Sequence, residues 1–341
     1  MAGALEHLLG LQAQVPWNPY VGLWSRLDPF DPEELGRMVS EREAVRIALM
    51  RATVHLVSAR DCLAFRPLIQ PAISKALFSS SPFGKAIAGV DNDALLLEGR
   101  RLLEERPMGI KELGKLLQDR WPDRDAQSLA YAVHYQLPLV QLPPRGVWGK
   151  AGRPVCTTAE AWLAQPLEPR PDIKDLVLRY LRAFGPATPA DCAVWSGLTG
   201  LTAVFENLRP QLRSYRDEKG RELFDPADLE LPDPELPAPP RFLPEYDNVF
   251  LGHANRSRIV SEEDRKTRLP SAAGSSSLLI DGFIKGSWRL TRSGKTALLS
   301  VQPIETLPAE TRAALEVEAE GLLAFLARGS ELRELRVLDP P

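Results

Sequence analysis

The chain has 341 residues, 44% of them hydrophobic and 26% charged, enough apolar material for several cores without disulfide staples. No apolar run reaches the ~18 residues of a membrane span, and residues 1–20 lack the basic, apolar and small-residue layout of a signal peptide. A cytoplasmic protein is expected. The net charge of -3 disfavours a uniformly nucleic-acid-binding surface.

The first periodic segment sets Leu5, Leu8, Leu9 and Gln12 at helical spacing, so a helix is expected over 2–12, ended by Pro16 and Pro19. Asp31-Pro32-Glu33-Glu34 is a helix start, and Ser40 to Glu43 repeats the capping-box spacing, which predicts a second short helix directly after. Ala52 to Val57 alternates as a strand, and Ser58 to Asp61 caps the next helix.

The same order recurs twice. Helices are expected over 93–105, 110–117 and 125–135, followed by a hairpin of Leu139–Leu142 and Val147-Trp148 around Pro143-Pro144-Arg145-Gly146. The next copy has helices over 173–184, from Thr188, and over 201–208, then a hairpin of 212–215 and 221–224. Three helices and a two-stranded wing make a winged-helix unit, a relative of the helix-turn-helix. The units are expected at 1–90, 91–165 and 166–228.

Seven prolines between Pro226 and Pro244 mark an extended connector, assigned to 229–244. After it, short segments between Ser277 and Val301 read as strands with glycine turns, and Pro308 to Arg328 as an amphipathic helix. A small β-barrel closed by a C-terminal helix is expected over 245–341. The fold class is therefore multidomain α/β.

Charge is segregated along the chain. Residues 224–247 carry seven carboxylates against Arg241 alone, whereas Arg256, Arg258, Arg265, Lys266, Arg268, Lys285, Arg289, Arg292 and Lys295 follow within forty residues. The Arg256, Arg258, Lys285 and Arg289 group is either a solvated edge or a phosphate-binding patch. Cys62, Cys156 and Cys192 are far apart, and the four histidines show no zinc spacing, so neither a metal nor a disulfide framework is expected.

Several segments together resemble one family. Gly10-Leu11-Gln12-Ala13-Gln14, Arg51 to Val57, Leu243 to Asn248, His253 to Arg258, and Asp281 to Arg289 are similar to the signature segments of the AlkZ and YcaQ winged-helix DNA glycosylases. That resemblance implies three tandem winged helices and a β-barrel arranged as a C around DNA. It also implies excision of bulky alkylated bases, including interstrand crosslinks formed by natural genotoxins, in repair or self-resistance. The family's active-site motif is Gln, an apolar residue, then Gln or Asp, and Gln12-Ala13-Gln14 resembles the AlkZ form. Members carry a further helix ahead of this segment, whereas this chain starts nine residues before Gly10, so its first unit is expected to lack an element.

The residues are compatible with that chemistry. In a helix, Gln12 and Gln14 would point about 200° apart, whereas an extended segment would set both on one side. Glutamine carbonyls can orient a water and stabilise an oxocarbenium-like sugar, but they cannot remove its proton. Such a site suits a base that already leaves well, and cationic N7-alkylguanine is one. Gln12 and Gln14 are the expected catalytic residues. His55, Asn255, Arg256, Arg258, Lys285 and Arg289 are the expected DNA contacts, although His55, polar amid apolar neighbours, reads first as a structural histidine. Duplex DNA carrying alkylated bases is the expected partner, with no cofactor and no partner subunit. The alternative is a non-enzymatic winged-helix regulator or architectural protein.

Overall fold

The computed structural model describes residues 1–261, 263–264 and 276–340. Arg265, Lys266 and Arg268 of the basic stretch lie outside the described residues. In chain order the first elements are α1 (Ala2–His7), β1 (Leu11–Gln12), α2 (Asn18–Trp24), α3 (Pro32–Ser40), β2 (Ala44–Ala48), β3 (Val54–Ser58), α4 (Ala59–Lys75) and α5 (Pro82–Ala86). Then come α6 (Asn92–Glu105), α7 (Ile110–Arg120), α8 (Ala126–Gln136), β4 (Leu139–Gln141), β5 (Cys156–Thr158) and α9 (Ala159–Leu163). A further helical set is α10 (Ile173–Phe184), α11 (Pro189–Ser196) and α12 (Leu201–Leu208), followed by β6 (Leu212–Arg216) and β7 (Glu222–Pro226). The described remainder includes β8 (Arg241–Leu243), α13 (Asn248–Leu251), β9 (Ser277–Ile280), β10 (Phe283–Ser293), β11 (Thr296–Pro303), α14 (Ala309–Leu326) and β12 (Leu332–Val337).

Local capping sets many of the helix starts. Asp31, Ser58, Asp91, Asp125 and Asp172 each accept a first-turn backbone N–H, and Thr188 with Asp191 forms a reciprocal capping box at α11. Each cap satisfies a donor that would otherwise be orphaned at the helix end.

Two expectations for the first elements are corrected. The helix expected to Gln12 stops at His7, because Leu9 and Gly10 take left-handed backbone (φ 54° and 82°) and turn the chain into a strand. The short helix expected after Ser40 is strand β2. Its Ala44–Ile47 are buried on both faces between β3 and β4, which removes the alternation that marks a half-exposed strand.

The chain forms two compact units: Met1–Tyr20 with Pro29–Leu229, and Val21–Asp28 with the chain from Glu230 onward. In the first, one sheet has the order β1-β3-β2-β4-β5, so strands from the expected first and second units share a ladder. The second wing strand was expected at Val147-Trp148, yet β4 pairs with Cys156–Thr158 instead. Trp148 packs on Tyr20 at 4.9 Å between ring centroids, and the Tyr20 hydroxyl donates to the Gly146 carbonyl at 2.8 Å. The apolar pair is thus spent on packing. A large core joins Ile47, Val57, Phe65, Tyr180, Trp195 and Phe205, and a second joins α6, α7 and α8 through Leu95, Leu117, Leu129 and Val133.

In the second unit the sheet order is β12-β11-β10-β9-β8, with β11 and β12 parallel and the other pairs antiparallel. The expected β-barrel is therefore corrected to an open sheet among the described residues. Pro240 and Pro244 bracket β8 and have no N–H to donate, which suits a terminal edge strand. Trp288 donates from Nε1 to the Leu243 carbonyl at 2.9 Å, tying β10 to that edge. Arg26 and Asp247 form an ion pair at 2.6 Å in the same unit. No helix among the described residues is long and apolar enough to cross a membrane.

Candidate active site

Gly10 explains why the glutamine segment is extended. A Cβ there would sit 2.4 Å from Val57 Cγ1 and 2.7 Å from the Leu56 carbonyl oxygen, so only glycine lets the chain approach β3 this closely. β1 then pairs antiparallel with β3, Leu11 opposite Leu56 and Gln12 opposite His55. The ladder continues as Ala13 N–H donates to the Val54 carbonyl at 2.7 Å.

Residues directly opposite in an antiparallel pair share a face, so Gln12 and His55 are cross-strand neighbours. Gln12 is 5% exposed, and its Oε1 is buried with no hydrogen-bond partner among the described residues. An orphaned buried acceptor costs about 1–3 kcal/mol, a cost that packing alone gives no reason to bear. Gln14 is exposed, and its Oε1 accepts a long bond from Val54 N–H at 3.5 Å. The two amides thus differ in surroundings. One is sealed against β3, and the other lies open at the strand end.

His55 is 1% exposed. Its Nδ1 lies 2.8 Å from the Thr53 carbonyl, which can only accept, so Nδ1 carries the proton and Nε2 presents its lone pair. Arg51 Nη2 approaches that Nε2 at 3.5 Å, and Arg51 Nη1 donates to the Trp195 carbonyl. Burial, reinforced by the Arg51 charge, pushes the imidazole down to about 3, while burial lowers the Arg51 guanidinium to about 10. At neutral pH this pair is a neutral imidazole beside a cation.

Backbone strain gathers here too. Among the described residues seven non-glycine positions have positive φ, and three of them, Leu9, Arg51 and Ala52, lead directly into β1 and β3. Such residues cost of order 1 kcal/mol or more each and persist where the surroundings fix them. Arg51 was not among the expected site residues. Its signal was its place at the head of the Arg51 to Val57 segment, four residues ahead of His55.

The neutral state of His55 has a consequence for stability. Its folded value is depressed below the ordinary ~6.5, so between these limits the unfolded chain binds more protons. The stabilisation is full above about pH 6.5 and is lost as pH falls toward 3. His134, pushed by burial to about 4, acts in the same direction. Urea unfolding followed from pH 7 to pH 4 is expected to show declining stability, with a shallower decline in His55→Gln. Parallel curves for the two proteins would contradict the assignment.

The remaining expected contacts lie in the second unit. Arg256 and Arg258 are exposed, with the Arg256 guanidinium 4.1 Å from the Phe250 ring centroid, and Arg289 is exposed on β10. Asn255 accepts from Ser257 N–H at 3.1 Å through its Oδ1. Lys285 is held by Asp264 at 3.1 Å and Glu305 at 3.0 Å, so its charge is compensated locally. Among the described residues no cluster of His, Cys, Asp and Glu is arranged to hold a metal.

A family model described as DNA glycosylase AlkZ-like matches residues 5–325. The chain belongs to the AlkZ-like DNA glycosylase family. It is thus an enzyme acting on N-glycosyl bonds, in DNA repair. Among solved structures it is similar to the DNA glycosylase AlkZ of Streptomyces sahachiroi, with 22% identity and a TM-score of 0.76, over 99% of this chain and 93% of that one. At that identity the likeness concerns the fold. A comparison with curated proteins found no match.

For an AlkZ-like glycosylase, segments 9–15 and 50–58 offer two glutamine amides and the buried neutral imidazole of His55, and no carboxylate. Neither 9–15 nor 50–58 contains a lysine whose amine could attack the sugar as a nucleophile.

Proposed function

We propose that this glycosylase hydrolyses the N-glycosidic bond of alkylated purines such as N7-alkylguanine in duplex DNA, with Gln12 and Gln14 as its catalytic residues. The observation that carries the reading is the buried, unpartnered Gln12 Oε1 on a strand fixed opposite His55. A carbonyl held in that way is preorganised for the charge that develops on the sugar, and the exposed Gln14 amide is placed to orient the attacking water. Neither group titrates near neutrality, so the reaction needs a base that departs without acid assistance. The positive charge of N7-alkylguanine supplies that property. Crosslinks joined through N7 carry the same leaving group, and their unhooking belongs to the same proposal.

His55 is buried, so we assign it a supporting role beneath Gln12 in place of the direct DNA contact expected from sequence. Three winged-helix units carry the site in this reading, and Asn255, Arg256, Arg258 and Arg289 meet phosphates. Lys285, already paired, contributes less.

Incubation with duplex DNA containing N7-methylguanine is expected to release the free base and leave the strand uncut at the abasic site, as a hydrolase without an amine nucleophile would. Strand cleavage concurrent with release would overturn the monofunctional assignment. Tight DNA binding with no base released would favour a non-enzymatic role.

A further inference from the structure

We propose that the β4–β5 connection, residues 142–155, is a contact for the phosphate backbone of duplex DNA, formed by Arg145, Lys150 and Arg153 above the buried Arg46. The proposal rests on the chain being a DNA glycosylase and not on which base it releases.

The segment Leu142 to Val155 contains three cations and no carboxylate. Many cations elsewhere on the first unit are neutralised: Arg60, Arg100, Arg101, Arg106, Arg179 and Arg209 each form ion pairs. Arg145 is instead fixed by donating from Nη1 to the Gly152 carbonyl at 3.0 Å, and its Nε is buried without a partner among the described residues. Lys150 and Arg153 are exposed.

Beneath the loop lies Arg46, on the central strand β2 and 1% exposed. Among the described residues its side chain bonds to the Gln141 side-chain oxygen alone, at 3.2 and 3.4 Å, and its Nη1 is buried without a partner. Burial, with Arg145 nearby, lowers this guanidinium to about 10, so it remains charged at neutral pH. A buried guanidinium met by one neutral amide is costly to keep for stability, since a paired charge or an apolar side chain would serve the fold better. It acts as a fixed positive source under the loop, where no ion pair among the described residues cancels it.

The loop is also held in shape. Gly146 has φ 88°, and a Cβ there would lie 2.4 Å from Arg46 Cδ, so glycine seats the loop directly on the guanidinium stem. The Tyr20 hydroxyl bond to Gly146 and the Trp148 contact with Tyr20 pin its centre. Cations on a pinned loop lose little freedom on meeting an anion, which favours binding over a mobile cationic tail. Phosphate contacts of this kind position a protein on a duplex without reading sequence.

The test measures binding to unmodified duplex DNA by fluorescence anisotropy across a salt series. That readout needs no base release, so failure of the alkylpurine reading leaves it intact. Lys150→Gln/Arg153→Gln is expected to reduce the slope of log Kobs against log salt by about 1.8, roughly 0.9 for each phosphate that is no longer neutralised. Lys150→Arg/Arg153→Lys is expected to keep the slope. The control Arg101→Gln/Arg120→Gln makes the same charge change at residues that both pair with Glu98, and is expected to leave the slope unchanged. An unchanged slope in the first variant, or an equal decrease in the control, overturns the proposal.

Discussion

Gln12→Ala and Gln14→Ala are each expected to slow single-turnover release of N7-alkylguanine by about 10²-fold, the usual effect of deleting one preorganised electrostatic contact. That factor equals about 2.7 kcal/mol of barrier. The double variant should fall short of the product of the singles, because in the proposed mechanism both amides act on one water and one sugar. Gln14→Asp should retain more activity than Gln14→Ala, since an aspartate, as in the Gln-apolar-Asp form of the motif, keeps an acceptor oxygen for the water. The two positions should differ in stability. Gln12 is sealed against β3, so its truncation leaves a small void while removing an unsatisfied acceptor, two effects that oppose each other. Gln14 is exposed, and its loss should leave the unfolding midpoint within error. Circular dichroism establishes that each variant is folded before rates are compared. Full activity in a folded double alanine variant would end the catalytic assignment.

What was legible in the sequence follows the range of the interactions involved. Asp31, Ser58 and Thr188 announced their helices because a cap is a contact between residues two or three apart. The third helical set, Ile173–Phe184 and Leu201–Leu208, was legible to the residue through its apolar periodicity. Strand β1 was not, since it has two residues and exists only through pairing with a strand more than forty positions later. The decisive signal was Gly10, whose role depends on Val57 and Leu56 and cannot be read from its neighbours. β2 imitated a helix because burial on both faces erases alternation, and β5 was misplaced because Val147 and Trp148 pack where a wing strand would pair. Barrel closure depends on which strands lie at the edges, a property of sheet order that no local pattern encodes. The Gln12 to Gln14 pair and His55 were identified singly. Their cross-strand register, and Arg51 behind it, needed the fold.

Arg179→Met is expected to destabilise the first unit by about 3–5 kcal/mol, the cost of leaving a buried carboxylate without its partner. Arg179 on α10 grips Asp61 in the first turn of α4 with two bonds, Nη1 to Oδ1 at 2.7 Å and Nη2 to Oδ2 at 2.6 Å, and Asp61 is buried. The same Nη2 donates to the Glu6 carbonyl at 2.6 Å. One guanidinium therefore joins the third helical set, the start of α4 and the end of α1, from which the chain turns through Leu9 and Gly10 into β1. The exposed Arg60 also approaches Asp61, at 3.5 Å, but a solvated cation at that distance recovers little of the loss. Removing both partners has a different outcome. Arg179→Met/Asp61→Leu deletes the stranded charge along with the cation, so most of the stability should return. The Glu6 carbonyl would still lack its donor, and that deficit falls on the segment carrying Gln12. The double variant is thus expected to unfold near the wild-type urea concentration while releasing N7-alkylguanine more slowly, because β1 is held less firmly. Urea denaturation and single-turnover kinetics on the same preparations separate the two effects. A single variant that loses less than about 0.5 kcal/mol, the range of an ordinary surface substitution, would show that the Asp61 charge is tolerated without Arg179 and that the site is anchored by other contacts.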